Sequence, residues 1–394
     1  MHDAAKPAHL WKPIELPTNV DDLARPELRA LETLWTSSRA ELERLGSWQN
    51  FWDRMTRWWA IETGVIEGIF DISLGVTRTL VEQGLLASLI PHGESSRPAR
   101  EVIEILGDHR EALDMVLDVV SGTRSLSVGW IKELHALICR HQETADAVTP
   151  LGQKVRIPLP KGAFKQRPNS VELPNGEMHE YCPPEHVAME MENLVALYKQ
   201  IPEALPEVRA AWLHHAFTQI HPFEDGNGRV ARALASIDFI RARLFPLLIE
   251  RQQRDQVYVP ALIAADKGDL GPLVQLFTAR QERMVRKAIS EAETLTTHVT
   301  SRKSLWRTRE KSSCAVSRRT STRTRCRANV LPHLPTSRLE NSRKRATTFW
   351  QKSPMSSSEC FRKTSVQGII GENKSYARLD AATIGQICEN RGNG

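Results

Sequence analysis

Between two stretches of helical periodicity stands the run His221-Pro-Phe-Glu-Asp-Gly-Asn-Gly-Arg-Val-Ala-Arg232, and its proline and glycines dictate how the surrounding chain can fold. Upstream, Val208, Ala211, Trp212, Ala216 and Ile220 recur at helical spacing over 207–220, which predicts an amphipathic helix. Pro222 must end or bend that helix, because it lacks an amide hydrogen and restricts the residue before it. Periodicity resumes over 229–243 with Ala233, Leu234, Ile237, Phe239 and Ile240. The spacing therefore predicts a helix, a tight glycine loop and a second helix.

Such a loop brings particular chemistry. Gly226, Asn227 and Gly228 fall at or just before a helix N-terminus, where free amides and the positive end of the helix dipole favour phosphate. Arg229 and Arg232 share one face of the first turn and can reach phosphate oxygens as planar forks. Asp225, immediately before the amides, is a candidate magnesium ligand, since magnesium takes one or two carboxylates plus phosphate oxygens. His221 is a candidate general base, because imidazole titrates near neutrality. Taken singly, each residue has an ordinary reading as a structural histidine, a helix cap or a solvated arginine. Their concentration within twelve residues argues against coincidence.

The run resembles the signature of the Fic family, HPFx[D/E]GNGRxxR, at every defined position. The resemblance implies a mainly α fold, a Fic-type helical bundle with a short β-hairpin flap. It also implies transfer of AMP from ATP, with Mg2+, to a Ser, Thr or Tyr hydroxyl of a target protein. On that reading His221 deprotonates the hydroxyl, Asp225 holds the metal, and Asn227 with the amides of Gly226 and Gly228 cradles the phosphates. Arg229 lies near the inner phosphates and Arg232 near the γ-phosphate. Phe223 becomes a core anchor. A branch of the family that transfers phosphate carries lysine where Gly228 stands, so this chain sides with the AMP-transferring majority. Many members form homodimers.

Upstream, Thr63-Gly-Val-Ile-Glu-Gly68 resembles the family's inhibitory motif, [S/T]xxxE[G/N], on a helix expected over about 58–74. Glu67 would then pair with Arg232 in a bidentate contact and remove a γ-phosphate ligand. Glu62 lies off the pattern and is read as solvated. Residues 171–181 read as a hairpin around Asn175-Gly176, with Pro174 limiting pairing; in the family, a flap here aligns an extended target segment by strand addition. A helix is expected over 187–198. Gly162-Ala-Phe-Lys165 resembles the family's G-x-[FY]-R lead-in with lysine in the fourth place. His215 is read as a packed structural residue, since with His214 it lacks zinc-pair spacing.

Residues 258–277 resemble the helical extension that follows the motif. Three regions are expected: 1–99 with the inhibitory helix, 100–295 as catalytic core and extension, and 296–394 as a tail. The net charge of +6 hides a division. Residues 301–394 hold 20 Lys+Arg against 6 Asp+Glu, whereas residues 1–300 hold 33 against 41. In 301–360 only 16 of 60 residues are apolar and 19 are Ser or Thr, too little apolar surface to offset ordering entropy, so disorder is expected. The basic tail also admits nucleic-acid contact through its arginines, without any specific motif, or an out-of-frame segment after about Lys303. The six cysteines (139, 182, 314, 326, 360 and 388) show no zinc or disulfide spacing. The N-terminus lacks a signal-sequence pattern, and no apolar run approaches the roughly 20 residues needed to span a membrane, so a cytoplasmic setting is expected. The rival readings are the same scaffold using another nucleotide or removing AMP, and a non-catalytic nucleotide-sensing, DNA-binding regulator.

Overall fold

A computed structural model describes residues 7–18, 20–148, 153–172, 178–203 and 205–316. The fold is mainly α. Ten helices form among the described residues: α1 Pro26–Arg44, α2 Trp48–Ile66, α3 Leu74–Gln83, α4 Ala99–Val120, α5 Val128–Ile138, α6 Pro184–Tyr198, α7 Pro206–Ile220, α8 Asn227–Arg241, α9 Val259–Asp266 and α10 Gly271–Val316. Five short strands accompany them: β1 Pro7–His9, β2 Thr144–Val148, β3 Lys154–Pro158, β4 Val171–Glu172 and β5 Met178–His179.

The expected helix–loop–helix is present and central. Pro206 starts α7, where its missing amide costs nothing. α7 ends at His221, whose φ of 48° is left-handed, and Gly226 at φ 83° precedes α8. Almost every residue of both helices is buried, so α7 lacks the polar face of the amphipathic helix that its spacing predicted. It is covered by α6, α8, α9 and α10, while α2, α4 and α5 pack on α8. Indole donors tie the shell to this centre. Trp59 Nε1 donates to Leu247 O at 3.0 Å and Trp35 Nε1 to Arg243 O at 3.2 Å. The buried Asp238 is held on one oxygen, which accepts from Tyr198 Oη at 2.6 Å and from Arg209 Nε at 2.9 Å.

The helix expected over 58–74 has other bounds. α2 begins at Trp48, driven by a stripe of Trp48, Phe51, Trp52, Met55 and Trp59, and it stops at Ile66. The stop is a Schellman turn: Ile69 N donates to Gly64 O at 3.2 Å and Gly68 N to Val65 O at 2.9 Å, with Gly68 at φ 68°. Glu67 is thus the C-cap of α2. Glu62 is a second correction, since it is 2% exposed rather than solvated. Its Oε1 accepts from Arg251 Nη2 at 2.8 Å and its Oε2 from Arg251 N at 2.9 Å. That partner lies 189 residues away, beyond the reach of local spacing.

β4 and β5 pair antiparallel, Val171 with His179 and Glu172 with Met178, which gives the expected flap strands. The turn at Asn175-Gly176 lies outside the described residues. β1 adds to β5 in parallel. α6 starts three residues before the expected 187, at Pro184. α10 runs on to Val316, so 301–316 are helical where disorder was expected. The rest of the tail lies outside the described residues. None of the described helices is long and apolar enough to cross a membrane.

Gly68 has no atom within 4 Å of an added Cβ, so Gly68→Ala isolates the cost of the left-handed backbone. We expect a loss of about 1–2 kcal/mol, read as a lower midpoint in urea at unchanged slope.

Candidate functional site

The loop between α7 and α8 is braced by Asn227, whose Oδ1 accepts from Phe223 N at 3.0 Å and whose Nδ2 donates to Phe223 O at 2.8 Å. The carboxamide is therefore occupied within the loop, and it is the main-chain amides of Asn227, Gly228 and Arg229 that lack an intrahelical acceptor. Phe223 is fully buried, its ring stacked on His135 with centroids 3.8 Å apart. His135 fixes the loop from below. Its Nδ1 accepts from Gly162 N at 2.8 Å, so its Nε2 carries the hydrogen donated to Asp225 O at 2.9 Å. Burial holds this imidazole neutral, its pKa lowered to about 4.

Both candidate arginines are buried. Arg229 Nη2 donates to Gln142 Oε1 at 2.5 Å, while its Nε and Nη1 find no partner. Arg232 Nη1 donates to Glu67 Oε1 at 2.6 Å and Nη2 to Thr63 O at 3.0 Å, leaving Nε without a partner. The expected Glu67–Arg232 pair is present, but with a single carboxylate oxygen instead of a bidentate fork. The carboxylate lies directly over the N-terminus of α8, where a Cβ on Gly228 would collide with it. Glu67 thus brings negative charge to the end of the helix that favours anions.

Asp225 sits at the mouth of the loop, its side chain one-third exposed. Oδ1 accepts from Gly226 N at 2.5 Å and Oδ2 from Gln142 Nε2 at 2.6 Å. Gln142 therefore joins the two charges, orienting Asp225 with one end and Arg229 with the other. A carboxylate that is partly open and held by a second residue fits a hard divalent cation.

His221 is aimed by its neighbours. Thr218 O lies 3.1 Å from Nδ1, which makes Nδ1 the donor and leaves the lone pair on Nε2. The Tyr181 ring stacks on the imidazole at 3.8 Å between centroids. Burial, with the Lys165 ammonium nearby, lowers the His221 pKa to about 3. Lys165 is itself lowered to about 8 by burial; its N–H donates to Pro222 O at 2.8 Å and its Nζ to Asn169 Oδ1 at 2.5 Å. Asn169 Nδ2 donates in turn to Phe223 O at 3.0 Å. His215 is the packed residue that was expected, with Nε2 2.9 Å from Asp266 Oδ1.

All eight anticipated residues, from Glu67 to Arg232, gather around this loop. Sequence reasoning missed Gln142, Asn169, Tyr181 and His135. None falls in a motif, and each is brought in from 40 to 90 residues away by α5, the lead-in or the flap. Cys139 and Cys182 are buried free thiols.

Residues 125–237 match the Fic/DOC family. The chain is 29% identical over 235 residues to protein adenylyltransferase fic-1 of Caenorhabditis briggsae, covering 59% of this chain and 41% of that protein. It is 38% identical over 78 residues to protein adenylyltransferase Fic of Aedes aegypti, covering 20% of this chain and 15% of that one. Among solved structures, a Fic domain containing signaling protein from Bacteroides thetaiotaomicron superposes with a TM-score of 0.52 at 25% identity, covering 68% of this chain and 97% of that chain. The chain spans less than half the length of the fic-1 proteins it matches.

Around the site, His109 and His214 are fully buried and held neutral by desolvation, His109 down to about 3 and His214 well below its usual value. Below pH 6.5 the unfolded chain protonates these rings while the folded one does not. Their contribution is complete above pH 6.5 and is lost as pH falls toward the folded values. We expect each ring to remove about 1.4 kcal/mol of stability per pH unit in that window. Urea melts at pH 7, 6 and 5 measure this, and His109→Gln should make the decline shallower.

Proposed function

We propose that this chain, whose residues 125–237 match the Fic/DOC family, is a protein adenylyltransferase, moving AMP from ATP to a Ser, Thr or Tyr hydroxyl of a target protein and restrained by Glu67. The observation that carries the reading is the convergence on one loop of a neutral His221 with its lone pair on Nε2 and two buried guanidiniums with unpartnered nitrogens.

The target hydroxyl oxygen attacks the α-phosphorus of ATP, its bond to the bridging oxygen breaks, and pyrophosphate leaves. His221 Nε2 takes the hydroxyl proton. A ring depressed to about 3 is a weak base by itself, and the anionic charge of bound nucleotide favours its protonated form. The amides of Asn227, Gly228 and Arg229, with the Arg229 guanidinium, receive the inner phosphates, and Arg232 receives the γ-phosphate. Asp225, steadied by Gln142, holds Mg2+, which when bound neutralises phosphate charge. β4 is the outer strand of the flap hairpin among the described residues, and an extended target segment pairs there by strand addition.

Restraint follows from occupancy. While Glu67 holds Arg232 Nη1, that arm is not available to a γ-phosphate. Glu67 lies on a helix cap, so it can withdraw by a local change.

The test is transfer of α-labelled ATP to protein in cell lysate and to the chain itself. Glu67→Gly should raise labelling, and adding His221→Ala should lower it again by about 10²–10⁴-fold. No gain in the single variant removes the inhibitory role and leaves the active site standing. No label in any variant, from a chain that is folded and binds magnesium–ATP, turns the reading to another nucleotide or a non-catalytic regulator.

Gln142 gives a second prediction. In the Glu67→Gly background, Gln142→Ala should raise the magnesium concentration for half-maximal labelling by about 10–100-fold, as loss of a ligand-orienting residue does. A magnesium titration of initial rates checks it.

A further inference from the structure

A second group of ligating side chains lies beside the flap. His9 on β1, His179 on β5 and Asp266, the last residue of α9, each present one donor atom, and the three atoms lie within 4.8 Å of one another. We propose that His9, His179 and Asp266 form a site for a borderline divalent transition metal such as Zn2+, with His215 orienting the Asp266 carboxylate.

The donors are arranged for such an ion. His179 and Asp266 are mostly buried, their side chains 10% and 13% exposed. Asp266 Oδ1 is fixed by His215 Nε2 at 2.9 Å, whereas Oδ2 stands 3.7 Å from His179 Nδ1, too far for a hydrogen bond. Metal ligands are commonly steadied by such an outer partner. The His9 and His179 rings are stacked, with centroids 4.5 Å apart at 13°. Zn2+ binds nitrogen and oxygen at about 2.0–2.2 Å, so ligation requires the two stacked rings to turn their nitrogens toward one ion. Two imidazoles and one carboxylate suit zinc or cobalt, whereas magnesium and calcium favour oxygen sets. This separates the group chemically from Asp225.

The consequence reaches the base. A metal here ties β1 and the flap strand β5 to the end of α9. Two residues beyond His179, Tyr181 leans on the His179 ring at 4.7 Å between centroids and stacks on His221 at 3.8 Å. Occupancy of the site therefore orders the flap at the point where it packs on the imidazole. The binding claim itself stands apart from the adenylyltransferase reading.

The experiment uses the full chain, stripped with a chelator, dialysed and titrated with Co2+ as a spectroscopic substitute for Zn2+. One equivalent should give visible bands displaced by Zn2+, and Zn2+ should raise the melting temperature. His9→Gln and Asp266→Asn should each weaken binding at least tenfold, while Asp225→Asn and His221→Ala keep it. His9 lies on a peripheral strand, so its variant decides the matter if Asp266→Asn misfolds. Crystals of the wild-type chain soaked in Zn2+ should show anomalous signal among the three residues whatever the variants do. Absence of saturable Co2+ binding by the wild type, binding unchanged in both ligand variants, binding lost with Asp225→Asn, or an anomalous peak elsewhere would each overturn the site.

Discussion

A buried guanidinium must have an anion, and Arg232 is the buried guanidinium around which this fold is arranged. Its side chain is 1% exposed, held against Thr63 O and one oxygen of Glu67. The charge cannot be shed, because arginine does not deprotonate in proteins. Removing the partner of a buried ion is strongly destabilising, far more so than breaking a surface pair. The site therefore needs a negative group at all times. With the carboxylate in place the centre is neutral and closed. A phosphate brought to the same place would satisfy the same requirement, so on the proposed function the nucleotide and Glu67 answer one electrostatic demand.

The opposite economy governs the imidazoles. His109, His135 and His221 are all neutral by burial. Main-chain neighbours assign their tautomers: Ala60 O faces His109 Nδ1 at 2.9 Å, and Thr218 O does the same for His221. Beside two permanent cations, further positive charge would be repelled. Neutral rings give the loop orientation without charge, which leaves the arginines as the dominant attraction for an anion.

How much of this could be read from the chain alone depends on distance along it. The helix break at Pro222, the left-handed Gly226 and the two arginines on the first two turns of α8 lie within twelve residues, and local stereochemistry is enough to place them. Glu67 was legible as a motif, but its position was not. Gly68 is an ordinary helix-stop signal, yet apolar spacing that carries on through Ile69 and Phe70 masked the stop. Glu62 and Gln142 were illegible for a different reason. Their partners, Arg251 and the Asp225–Arg229 pair, are 189 and more than 80 residues away, and only tertiary packing brings them together. Asn227 belongs to the loop yet serves Phe223, a division of labour that a spacing pattern does not distinguish from ligand binding.

The Schellman turn gives α2 two mechanical halves. Its tryptophan-rich body is bonded into the core through the Trp59 indole, whereas Glu67 rides on a terminal residue whose helical hydrogen bonds end at Gly68. Gly64 permits this only because it has no side chain, since a Cβ there would run into the Phe70 ring. The chain doubles back tightly over that bare backbone. Residues 69–72 are also tied to the body of the helix, since Arg251 donates both to Ile72 O and to Glu62. The segment between α2 and α3 therefore meets the loop before α8 through Glu67, the residue at the end of α2 that reaches Arg232.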